Sequence, residues 1–210
     1  MQATRALREI FEALTMAPPD TSDDRRTGAV LVLGTDDRVV LAVARSLGRR
    51  KLRVHLGWCA PDCIAVRSKY VAQVHQIPPY SPHDEAWKRA LLDLLEEKPF
   101  DLVIPCNDST VVPLQNHRAD FERFPFLHLL PQETFDAAFD KFKTYELAKS
   151  LGISVPQGAT VFSAAEVEDL LQRLKPPIVL KPRATITRET VAASNVVKKA
   201  YDVQELRELL

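Results

Sequence analysis

Apolar positions along this chain follow two periods, and the change from one to the other marks out its elements. Ala29-Val30-Leu31-Val32-Leu33 is an unbroken apolar run between Gly28 and Gly34, the pattern of a strand covered on both faces. Residues 52–58 alternate and read as a second strand, residues 70–77 as a weaker third, and residues 101–106 as another apolar run. Phe126 to Leu130 predicts a short further strand. Helical spacing lies between these runs. Val39, Val43 and Leu47 share one side of a helix that closes at Gly48, and Trp87, Leu91, Leu94 and Leu95 share one side of another. Ser81, Pro82 and Asp84 suit the cap, N1 and N3 positions of that second helix. Asn107-Asp108-Ser109 caps a third helical region. Strands alternating with helices predict a doubly wound parallel α/β sheet up to about Pro131. Before it, residues 2–16 form an amphipathic helix, with a polar, proline-marked connector over residues 17–26. That helix packs on its own domain or, as the alternative, docks a second protomer to give a homodimer.

Beyond Pro131 the pattern is helical first. Asp140 is placed to cap a helix whose stripe is Phe142, Tyr145, Ala148 and Leu151; Gly152 suits its C′ position and Pro156 bars continuation. Residues 159–162 predict a strand, and Ser163 with Glu166 a capping box before Val167, Leu170, Leu171 and Leu174. A short apolar run, Ile178-Val179-Leu180, ends at Lys181, where a buried cation would need an anionic partner. Residues 194–199, Ser194-Asn195-Val196-Val197-Lys198-Lys199, lead to a helix capped by Asp202 with Glu205 at N3. Leu206, Leu209 and Leu210 form an apolar face with little left to cover it.

Composition narrows the function classes. The 210 residues are 46% hydrophobic and 27% charged, as in a soluble globular protein. Lys plus Arg and Asp plus Glu each total 28, so no global field recruits nucleic acid or an anionic membrane, and neither is expected as a partner. No apolar run is long enough for a membrane span, and no signal-peptide pattern is present. Three cysteines suggest reduced thiols and a cytoplasmic location. Cys59 and Cys63 are spaced by three residues and lack a second pair, so free thiols are expected even with His55 nearby. His75, His83, His117 and His128 show no partner pattern. There is no P-loop, nucleophile elbow or H-E-x-x-H, and no G-x-G-x-x-G after Leu33.

Two lysines carry the candidate chemistry. Lys141 stands at a helix start, where unpaired amides favour anions, and Lys181 at a strand end. They could converge on a phosphate chain, or Lys141 could be solvated surface and Lys181 reach to water. The ordered series Asp140-Lys141, Leu147-Ala148, Gly152-Ile153-Ser154-Val155-Pro156 and Pro177-Ile178-Val179-Leu180-Lys181-Pro182 resembles the opening of an ATP-grasp domain. Its pattern is that of ligases similar to carbamoyl-phosphate synthetase and biotin carboxylase. The resemblance implies that Lys141 and Lys181 contact ATP phosphates. It implies three parts: residues 1–28 as helix and connector, residues 29–131 as a Rossmann-like pre-ATP-grasp domain, and residues 132–210 as an incomplete α+β ATP-grasp domain. It also places the loops after the first strands at the non-nucleotide substrate, which makes Asp108 and Thr35 candidate substrate contacts; Asp108 as a plain helix cap is the alternative. The implied parent enzyme is an ATP-dependent carboxylate–amine ligase using ATP, Mg2+ and a small carboxylate. Its metal ligands are expected beyond residue 210, so this chain, read as a fragment, is expected to lack catalysis by itself.

The sequence departs from the family in one loop. Residues 183–193 hold no glycine where the family lays backbone amides over phosphates. Arg183 and Arg188 could bind phosphate through their side chains, and Thr185 and Thr187 could donate hydroxyls. A nucleotide-binding or scaffold module without turnover is therefore the competing expectation.

Overall fold

The computed structural model describes residues 28–161, 163–182 and 197–209; the helix expected over residues 2–16 lies outside them. Four parallel strands form the main sheet: β1 (Ala29–Leu33), β2 (Arg53–Gly57), β3 (Val71–His75) and β4 (Leu102–Pro105), in the order β3-β2-β1-β4. Ala29 registers with Arg53 and Val30 with Leu102, so β1 is flanked on both edges. All five of its residues are buried, which is why it carries no polar side chain.

Its side chains alternate between two cores. Val30 and Val32 point into one with Val54, Leu56, and Val40 and Ala44 of helix α1 (Asp37–Arg49). Leu31 and Leu33 point into the other with Trp87, Leu91, Leu94 and Leu95 of α2 (Ala86–Glu97). Helices thus cover both faces, as a doubly wound sheet requires. The second core is the more aromatic: Trp58 and Trp87 stack at 5.3 Å, and Phe121 closes on Trp87 at 6.2 Å. Burying such a side chain is worth about 1.5–3 kcal/mol, so these two layers hold the sheet together.

Local details depart from expectation for physical reasons. The buried stripe of α1 is Val40 and Ala44, with Val43 and Leu47 half-buried, while Val39 is 37% exposed. The tight turn at Gly34 sets the phase by bringing Val40 against it. This helix ends at Arg49 rather than Gly48, and Lys51 takes the positive φ of 62°. Gly48 is needed instead for space, since a Cβ there would lie 2.4 Å from Tyr70. α2 begins at Ala86; Ser81 and Asp84 close a turn through a bridge, with Asp84 Oδ1 accepting from Ala86 N at 2.9 Å. The strand expected at 126–130 is a single bridge, Val103 to Leu127. α3 (Asp108–Asn116) and α4 (Arg118–Phe121) precede it.

In the second half, α5 (Gln132–Phe139) and α6 (Lys141–Ser150) meet at Asp140, which ends one and caps the other. Gly152, at φ 72°, ends α6: its N–H reaches Lys149 O and that of Ile153 reaches Ala148 O, a Schellman closure. The expected stripe on α6 is not buried, with Phe142 41% and Leu151 45% exposed. Residues 159–161 form no strand, and Phe162 lies outside the described residues. Ser163 Oγ donates to the Glu166 carboxylate at 3.2 Å, ahead of a short 3-10 turn and α7 (Val167–Arg173). β5 (Ile178–Leu180) pairs antiparallel with β6 (Lys198–Ala200) and is followed by α8 (Val203–Leu209), which Asp202 and Glu205 cap as expected. Leu206 is fully buried against Val167, Leu170, Ile178 and Ala200, which overturns the expectation of an uncovered face there.

His55 is buried on β2, and its Nδ1 lies 2.9 Å from His75 Nε2 in a stacked pair, with Phe100 edge-on. Burial, then the Arg53 charge, holds His55 below its ordinary value; burial, then His55, holds His75 down to about 4. Both are neutral in the fold. Below 6.5 the unfolded chain takes up protons that the folded chain refuses, so stability is full above that pH and is lost as the pH falls towards 4. Equilibrium unfolding followed over that window is expected to show the decline, and His75→Gln is expected to flatten it.

Candidate functional site

The chain runs from β1 outward to β2 and β3, then returns to lay β4 on the other side of β1. The carboxyl ends of β1 and β4 therefore form the switch point at which ligands of open parallel sheets bind. Gly34 makes the turn possible: a Cβ there would lie 2.4 Å from Val40 Cγ2 and 2.6 Å from Cys106 Sγ. Asp36 then caps α1, accepting from Arg38 N and Val39 N, and the Val39 bond holds its carboxyl below the usual carboxylate range.

The β4 side is built around Thr110, fully buried, whose hydroxyl lies 2.8 Å from Asn107 O, 3.0 Å from Asn107 Oδ1 and 3.3 Å from Leu33 O. Asn107 caps α3, so the cap is one residue before Asp108. Asn107 Nδ2 donates to Thr35 Oγ1 at 2.7 Å, and Thr35 Oγ1 lies 2.6 Å from Ser109 Oγ. Thr35 and the 107–109 turn are thus brought together across the crevice. Asp108 is exposed at the first position of α3 beside them. Cys106 adds no nucleophile: burial pushes its thiol up to about 11, and burial with Cys63 beside it pushes Cys59 up to about 12. All three cysteines are free.

The lysines stand on other elements. Lys141 is the first residue of α6, and Lys181 directly follows β5. Two of the first amides of α6 are engaged within the chain, since Asp140 Oδ1 accepts from Phe142 N at 2.9 Å and Lys143 N at 3.1 Å. Lys181 is exposed, and of β5 only Ile178 is buried, so the desolvation argument for an obligatory partner does not apply. Arg183, Arg188, Thr185 and Thr187 lie outside the described residues. A feature missed in the sequence is a cleft of about 380 Å³ between Tyr145 on α6, Gln157–Ala159, and Arg173 and Leu174 at the end of α7. Tyr145 follows Lys141 by one helical turn. Four residues apart gave no hint of a cleft because its other wall is a loop. Among the described residues no three His, Cys, Asp or Glu side chains are grouped to hold a metal ion. None of the described helices is long and apolar enough to cross a membrane.

Neither a protein-family model nor a curated protein matches the chain. Solved structures do. An L-amino acid ligase from Bacillus licheniformis superposes at a TM-score of 0.61 and 20% identity, over 88% of this chain and 42% of that one. The biotin carboxylase domain of Hydrogenobacter thermophilus 2-oxoglutarate carboxylase, in complex with MgADP, ADP and bicarbonate, gives 0.59 and 14% over 86% and 39%. N5-carboxyaminoimidazole synthetase from Staphylococcus aureus, complexed with ADP, gives 0.56 and 18% over 87% and 43%. The fold is that of the front part of ATP-grasp proteins. The chain spans about two fifths of the length of these ATP-grasp structures.

At the crevice, Thr110→Val is expected to cost about 1–3 kcal/mol in equilibrium unfolding, since it removes a fully buried hydroxyl that donates into the Asn107 turn and accepts from Asn107 N. Thr35→Ala, on the exposed side of the same network, is expected to cost about 0.5 kcal/mol or less.

Proposed function

We propose that this chain is the front of an ATP-dependent carboxylate–amine ligase, or a related C–N ligase, working through an acyl phosphate. The observation that carries the reading is the position of Lys141 and Lys181 at the openings of α6 and of the segment after β5, within a fold shared with ATP-grasp enzymes. We take residues 29–131 as a Rossmann-like unit and residues 132–210 as the first part of the ATP-grasp unit. This division is supported by separate sheets and by a separate core around Leu206.

The residues present suit a phosphate chain. Two primary ammonium groups, one at the start of α6 and one directly after β5, would offer point charges that neutralise phosphate oxygens where negative charge gathers. Arg183 and Arg188, in the run that follows Lys181, would add bidentate donors in place of the family's glycine amides. Bound Mg·ATP would supply the phosphoryl group that activates the carboxylate. Thr35 and Asp108, at the switch-point crevice, would orient the carboxylate-bearing substrate: Thr35 through a hydroxyl already fixed by Asn107 and Ser109, Asp108 by accepting a hydrogen bond. The magnesium carboxylates are assigned to the part of the enzyme beyond residue 210, and the intact protein to the cytoplasm.

A second reading, nucleotide binding without turnover, is favoured by one specific feature, the glycine-free run at 183–193. The two readings separate on the intact protein that carries this chain. Mg·ATP is expected to raise its thermal midpoint, and Lys181→Ala is expected to abolish the rise. An undiminished rise in the variant would refute the lysine assignment, while a rise in the wild type without ATP consumption over a panel of amino acids and small carboxylates would favour the binding module.

A further inference from the structure

We propose that the amino-terminal edge of the parallel sheet is a docking surface for single-stranded nucleic acid, held by its phosphate backbone without regard to sequence. Between Asp37 and Asp84 the only acidic residue is Asp62, against Arg38, Arg45, Arg49, Arg50, Lys51, Arg53, Arg67 and Lys69. The fold sorts these charges by end. α1 runs back from the carboxyl end of β1, so Arg45 and Arg49 lie one turn apart near its close, and Arg50 and Lys51 follow in the turn. Arg53 opens β2, in register with Ala29 at the start of β1. Arg67 and Lys69 come just before β3, and the contact of Gly48 with Tyr70 fastens that segment to the last turn of α1. Asp62 stays at the other end, two residues before Ile64, whose N–H points to the Asp37 carboxylate.

The seven cations from Arg45 to Lys69 are all exposed, and among the described residues none of them forms an ion pair. A helix dipole accounts for Arg49 in the last turn of α1. It does not account for Arg53, Arg67 or Lys69, which stand on a strand and a loop. Three carboxylates share this end on the α2–β4 side: Asp101, engaged by Ala29 N at 2.7 Å, Glu96, paired with Arg123, and Glu97 at the close of α2. The chemistry of the surface selects among polyanions. Protein interfaces use arginine too, but around an apolar centre depleted of charge, whereas nucleic-acid interfaces are strongly positive throughout. Here the centre is arginine, and the aromatic present, Tyr70, carries the Lys69 ammonium 5.2 Å from its ring centroid. Arginine forks match phosphate oxygens two at a time. The balanced totals of the whole chain hide this edge, because most of the compensating acids lie elsewhere.

Fluorescence anisotropy of labelled single-stranded RNA and DNA oligonucleotides with the full chain tests the assignment. Four phosphate contacts predict binding that weakens roughly 50-fold between about 50 and about 200 mM salt. Arg49→Glu with Arg50→Glu, and separately Arg67→Glu with Lys69→Glu, are each expected to weaken it by about tenfold or more and to lower the salt slope. The two pairs sit on different elements, so if one variant fails to fold the other decides. The proposal is overturned if neither oligonucleotide binds at low salt, or if a folded variant binds like the wild type. Poly-glutamate or phosphatidylserine vesicles competing as well as unlabelled RNA would also overturn it, in favour of a carboxylate-bearing partner or a membrane.

Discussion

The close approach at Gly34 is the constraint on which the rest of the first half depends. Val40 presses on it from one side and the Cys106 sulfur from the other, at separations that leave no room for a Cβ. That single absence lets α1 turn straight down over the sheet, which puts Val40 and Ala44 into the core instead of Val39. It also lets β4 end close enough to β1 for Cys106 N to donate to Leu33 O at 2.9 Å. The crevice between Thr35 and the 107–109 turn is the outer rim of the same contact. Site geometry and core packing are therefore one arrangement, and a bulkier residue at position 34 would disturb both together.

What could be read from the sequence was whatever depends on one element. β1 carries no polar residue, so its burial on both faces was legible. Asp140 and Gly152 flag the ends of α6 through capping chemistry that needs only neighbours in the chain. Phase and partnership were less legible. Val39-Val43-Leu47 and Val40-Ala44-Leu47 are both helical stripes, and the turn before the helix chooses between them. Ser81, Pro82 and Asp84 satisfy a helix-start pattern, yet the same side chains serve a tight turn equally well. The His55–His75 pair needs the parallel register of β2 and β3, which sets Gln73 opposite His55 and His75 diagonally across on the same face. No local pattern announces that.

The candidate site divides the same way. Asp140-Lys141 and the run into Lys181 were legible because each motif is continuous in sequence. Their surroundings were not. Asp140 engages two of the first amides of α6, which would move the burden of anion binding there from backbone to side chain. A site resting on a flexible ammonium is less preorganised than one resting on fixed amides, and the glycine-free sequence at 183–193 points in the same direction. Under the proposed function, both departures would shift phosphate recognition from main chain to side chains, and affinity would come through charge more than through geometry.

Charge is also where totals mislead. A net charge of zero excludes a long-range field only if acids and bases are evenly mixed, and here seven cations gather on three neighbouring segments. At one end of the sheet, Asp36, Asp37 and Asp108 stand around the switch-point crevice. At the other, seven cations stand on three adjoining segments with no acid in the sequence between Asp37 and Asp62. Like charges at this spacing repel, and nothing in the packing of α1, β2 or β3 needs arginine at positions 45, 50 or 67. A folded domain keeps such an edge at a cost in self-repulsion unless a counter-charge meets it. Because the crevice lies at the opposite end of the strands, a polyanion on the basic edge leaves the switch point open, and the two ends of one small sheet can serve separate ligands.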